Sequence, residues 1–88
     1  MSVYSINYDL NMPGQNYSGL LAELAKFPGV HYLKSAWLIA TNLSVEGVFD
    51  RLARHIDKSD KLLVIEVASP YKGWLDTSYW PWIKTHLG

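Results

Sequence analysis

Asp9 closes an alternating run, Ser2-Val3-Tyr4-Ser5-Ile6-Asn7-Tyr8-Asp9, and Leu10-Asn11-Met12-Pro13-Gly14 follows. A carboxylate at the exit of a strand has three uses. It holds a hard divalent cation, accepts backbone hydrogen bonds in the turn, or sits in water. In the first case the cofactor is Mg²⁺ or Mn²⁺, bound through oxygen ligands and retained waters, and it polarises a phosphoryl group and activates a water. Asn7 lies on the same strand face and supplies a neutral oxygen. One aspartate is a weak site in a monomer, so this chemistry depends on a second copy of the chain. His31, His55 and His86 stand at no zinc-site spacing and read as isolated surface histidines. His55, four residues after Arg51, suits a helix end better than catalysis, although a histidine base for RNA cleavage stays open. A glycine-rich phosphate loop, a nucleophile elbow and a zinc-finger pattern are all absent.

The elements that must position Asp9 follow from periodicity. Val3 to Leu10 alternates as a strand, with Tyr4, Ile6, Tyr8 and Leu10 on one face and Val3, Ser5, Asn7 and Asp9 on the other. Tyr4 and Tyr8 resemble the stacking residues of RNA-binding sheets, but their apolar neighbours favour the core. Met12-Pro13-Gly14 ends the strand. Asn16 is placed to cap a helix over Tyr17 to Phe27, with Leu20, Leu21, Leu24 and Phe27 on one side. Two strands are expected at Val30 to Lys34 and Ala36 to Thr41, with a bend near Ser35, or else one long bent strand. Ser44 caps a second helix over Val45 to Ile56, with Leu43 stapled on Val48. Lys61 to Ala68 is the last strand; apolar on both faces apart from Glu66, it reads as central or as an interface.

The order is β-α-β-β-α-β. It defines an α+β, ferredoxin-like fold: an antiparallel sheet with two helices on one face. The other face needs a partner or the aromatic-rich C-terminal tail. In that tail Ile83 and Leu87 finish a short helix begun near Trp80 or Pro81. Its tryptophans, Trp74, Trp80 and Trp82, read either as a lid over the sheet edge or as dimer-interface anchors.

The 88 residues make one domain, with a core over about 3–67 and an extension over about 69–88. So small a core makes self-association a natural supplement. Lys plus Arg is 8 and Asp plus Glu is 8, which excludes a strongly basic nucleic-acid footprint. Arg51, Arg54, Lys58 and Lys61 still form a candidate nucleic-acid-binding run, weakened by the interleaved Asp50, Asp57 and Asp60. No cysteine and no signal-peptide pattern is present, and no apolar run is long enough for a membrane span. A cytoplasmic protein is expected.

Three short motifs carry a family resemblance. They are Tyr8-Asp9 at the strand exit, Tyr32-Leu33-Lys34-Ser35-Ala36-Trp37 where the middle strands meet, and Leu43-Ser44 leading into the second helix. Together they resemble the small CRISPR-associated adaptation subunit and the wider group containing virulence-associated protein D and related toxin-like ribonucleases. The likeness spans roughly Val3 to Val67. It implies a homodimer in which two copies of Asp9 meet around one divalent cation, with Ser35 able to approach Asp9. The chain departs from the adaptation subunit after Asp9, where Leu10-Asn11-Met12-Pro13 stands. It departs again in the first helix, whose one basic residue is Lys26, and in its Trp-rich tail. Two functions follow: a metal-dependent endonuclease acting on RNA or DNA as a homodimer, catalysed by Asp9, or a non-catalytic dimeric module binding protein or nucleic acid.

Overall fold

The computed structural model describes residues 1–11 and 17–88. The expected Met12-Pro13-Gly14 turn and the Asn16 cap lie outside the described residues. The chain forms β1 (Ser2–Asp9), α1 (Ser18–Ala25), β2 (Gly29–Leu33), β3 (Ala36–Thr41), α2 (Val45–Ala53), β4 (Lys61–Val67), a 3₁₀ turn (Thr77–Tyr79) and α3 (Trp80–Leu87). The four strands are antiparallel in the order β2-β3-β1-β4. This is the ferredoxin-like α+β arrangement.

Alternation along β1 separates two cores. Tyr4, Ile6 and Tyr8 pack with Ile39 of β3 against Leu20 and Leu24 of α1 and Val48 and Leu52 of α2. Each buried tyrosine finds a partner for its hydroxyl: Tyr4 donates to the Leu43 carbonyl at 2.8 Å and Tyr8 to the Lys34 carbonyl at 3.2 Å. Buried phenols need such acceptors, so these two rings are core rather than a stacking surface. Ser44 caps α2, its Oγ accepting from Gly47 N–H at 3.1 Å. The helix ends at Ala53, a turn before the expected Ile56. There the N–H groups of His55 and Ile56 bond three residues back, to Leu52 and Ala53, and tighten the chain out of the α-helix.

Val3, Leu38 and Ala40 face the opposite side, where Ile83 of α3 buries itself on them. The C-terminal segment is therefore not a tail: it folds back as a 3₁₀ turn and a helix over part of the second sheet face. Pro81 sits in the first turn of α3, where its missing N–H is harmless. A second correction concerns β4. It lies at the sheet edge, not the centre. Its two apolar faces differ in fate, since Leu62 and Val64 pack on the helix-side core while Leu63 and Ile65 stay exposed. Among the described residues, no helix is long and apolar enough to cross a membrane.

Candidate functional site

The middle of the sheet delivers Asp9 to one end of the second face. β1 runs between β3 and β4, so its last residues are flanked by the β2–β3 hairpin on one side and the start of β4 on the other. In register, Asn7 stands between Ala36 and Leu63, and Asp9 stands opposite Lys61. Ser35 in the hairpin turn accepts from Tyr8 N–H through its carbonyl at 3.1 Å, which draws the turn onto the end of β1. Asn7, Asp9, Ser35 and Lys61 consequently line one shallow cleft of about 380 Å³, with Leu33 and Leu63 at its sides.

Asp9 is exposed, and among the described residues its carboxylate makes no hydrogen bond or ion pair. The turn role belongs to a different acid. Asp60 Oδ1 accepts from Asn11 N–H at 2.6 Å and from the Tyr17 hydroxyl at 3.0 Å, and Oδ2 accepts from Asp57 N–H at 2.9 Å. Those backbone donors, Asn11 first and then Asp57, hold the Asp60 carboxyl below the usual carboxylate range. Asp60 thus ties the exit of β1 to the start of α1 and to the loop before β4.

The ligand set around Asp9 fits a hard divalent cation in kind. Asn7 Nδ2 donates to Ser5 Oγ at 3.1 Å, which leaves its amide oxygen available on the face it shares with Asp9. In number the set is incomplete, because no group of three or more His, Cys, Asp or Glu residues stands together among the described residues. A single chain offers one carboxylate and the Asn7 amide oxygen, with Ser35 lining the same cleft.

The basic run does not form one surface. Arg51 turns inward and donates through Nε (3.0 Å) and Nη2 to Glu23 of α1, with its guanidinium 4.5 Å from the centre of the Phe27 ring. His55 Nε2 lies 3.1 Å from the other Glu23 oxygen. Arg54, Lys58 and Lys61 are exposed, but Lys58 lines a hollow beside α2 while Lys61 lines the Asp9 cleft. Of the tryptophans, Trp80 and Trp82 pack at the edge of the second core and Trp74 is fully exposed.

Sequence reasoning missed the Glu23–Arg51–His55 cluster, although a signal was present. Glu23 occupies the apolar stripe Leu20, Leu24, Phe27 at helical spacing, and Arg51 and His55 occupy the stripe Val48, Leu52. An acid on one buried stripe and two bases on another point to a bridge between helices. The Arg51 and His55 hydrogen bonds, in that order, lower the Glu23 carboxyl to about 2. No protein-family model, no curated protein and no solved structure matches this chain.

Proposed function

We propose that the chain is a homodimeric, divalent-metal-dependent endonuclease of RNA or DNA whose working carboxylate is Asp9. The observation that supports this most is an exposed aspartate with no partner among the described residues, held in a cleft with two further oxygen donors and a lysine. Asp60 already performs the turn role, so Asp9 is left without a structural duty. A bound Mg²⁺ or Mn²⁺ would supply phosphoryl polarisation and an activated water. Asp9 and the Asn7 oxygen would hold it, and Lys61 would meet the phosphate charge.

The dimer enters through the same face. Leu33 and Leu63, 52% and 56% exposed, stand in one cross-strand row with Ala36 and Asn7. A second copy seated there would cover this apolar row and bring a second Asp9 close to the first. The same row favours the runner-up reading, a non-catalytic dimeric interaction module, which needs the face but not the carboxylate. The two are separated by incubating the purified protein with labelled single-stranded RNA, single-stranded DNA and duplex DNA in Mg²⁺ or Mn²⁺, and again in EDTA. Cleavage that requires the metal is expected. Intact substrates in every metal condition would leave the interaction module.

A further inference from the structure

The second half of the rear sheet face holds a groove that the Asp9 cleft does not use. It encloses about 390 Å³ between the sheet and the C-terminal segment, within the size of small-molecule pockets. Tyr32, Tyr71, Trp74 and Trp80 line it, over an aliphatic floor. Tyr71 and Trp80 are stacked with ring centroids 6.3 Å apart. Trp74 is the anomaly. Its side chain is 101% exposed, carried at the rim by residues 71–76, which have no regular structure. The other large side chains of the C-terminal segment, Tyr71, Leu75, Tyr79, Trp80, Trp82 and Leu87, all pack against the second core. An indole left wholly in water beside an apolar groove is an aromatic surface with no partner of its own.

The polar groups of the groove have one sign. Among the described residues Lys72 is its single charged lining residue, and no acidic side chain lines it. Ser5, 8% exposed, accepts from Asn7 Nδ2, and among the described residues its own hydroxyl proton is given to no partner. Among the described residues the Tyr32 hydroxyl likewise makes no hydrogen bond. A cation would meet Lys72 and no counter-charge, whereas a carboxylate or sulfonate would meet its ammonium, in a groove whose walls also carry the Ser5 and Tyr32 hydroxyls.

We propose that this groove is a binding site for a small aromatic anion, its ring lying against Trp74 and the Tyr71–Trp80 pair and its acidic head on Lys72. The proposal stands apart from the nuclease reading, since no groove residue lines the Asp9 cleft. The probes are 1-anilinonaphthalene-8-sulfonate, an aromatic anion, and N-phenyl-1-naphthylamine, a neutral analogue of similar shape, each titrated by fluorescence. Lys72 and Trp74 are exposed, so Lys72→Gln and Trp74→Ala leave the fold intact, which near-UV circular dichroism checks. Saturable binding of the anionic dye at one site per chain is expected. Lys72→Gln should weaken the anion about fivefold and leave the neutral dye unchanged, as the loss of one exposed charge contact implies. Trp74→Ala should weaken both about tenfold, the loss of one stacking surface. Equal anion binding by wild type and Lys72→Gln, or unsaturable binding, would overturn the proposal. So would a concentration-dependent dimer by sedimentation that Trp74→Ala abolishes, because the groove would then take a second copy of the chain.

Discussion

Three acids in this chain have three different fates, and each fate is set by what surrounds the carboxylate. Glu23 bridges two helices, Asp60 gathers backbone donors, and Asp9 faces solvent in its cleft. Replacing Asp9 by Asn removes no hydrogen bond among the described residues, so the melting temperature should stay within a degree or so of wild type, as for surface substitutions generally. Asp60→Ala removes the acceptor of the Asn11 and Asp57 amides and should lower the melting temperature clearly. If Asp9→Asn melted lower than Asp60→Ala, the assignment of roles would be reversed. Glu23 carries the acid dependence. Its folded-state carboxyl is lowered to about 2 from an ordinary 4.5, so its contribution is fully present above about pH 4.5 and fades as pH falls toward 2. Asp60 is shifted in the same direction and adds to that limb. Urea midpoints between pH 6 and pH 2.5 should therefore fall more steeply for wild type than for Glu23→Gln; parallel slopes would contradict the bridge.

At the scale of elements, local pattern was readable wherever an element has one wet face or a clear punctuation mark. The period-two run of β1 and the Ser44 cap both appear in the structure as the sequence implied. Edge position was not readable. Apolar residues on both faces of β4 look like burial, yet one face packs beneath α2 and the other is open. The inward turn of Arg51 was hidden for a related reason: its partner lies 28 residues away, and only the joint reading of two helical stripes brings them together. In the candidate site, Asn7, Asp9 and Ser35 were legible because strand parity and one tight hairpin suffice to place them. Among the described glycines, Gly29 has the least room for a side chain. A Cβ there would stand against the Leu38 carbonyl oxygen, in the pairing of β2 with β3. Gly29→Ala should therefore destabilise by about 2 kcal/mol or more in urea titration, since backbone on backbone cannot relax cheaply. A variant as stable as wild type would mean that β2 lies farther from β3 than this.

The whole molecule divides its second sheet face into two territories. α3 covers one, anchored by Ile83 at 3% exposure, and the other holds the Asp9 cleft with its exposed leucines. Ile83→Ala should cost about 2–5 kcal/mol, the range for emptying a buried isoleucine site. A short helix ending in Ile83 and Leu87, and a cover for the second sheet face, are legible in the sequence; that the segment packs into a core of its own is not, because tryptophan, proline and glycine there show no clean period. The proposed dimer would use the uncovered territory. Leu63→Lys should leave the monomer folded and abolish any dimer seen by light scattering, and with it any cleavage. The proposed cleavage turns on one carboxylate, Asp9. The most direct test measures cleavage by wild type and Asp9→Asn side by side on single-stranded RNA, single-stranded DNA and duplex DNA in Mg²⁺ and Mn²⁺, at equal mass by light scattering. Metal-dependent cleavage by wild type, and none by the equally folded, equally dimeric variant, is expected. Equal cleavage by both proteins, or cleavage by neither, would contradict it.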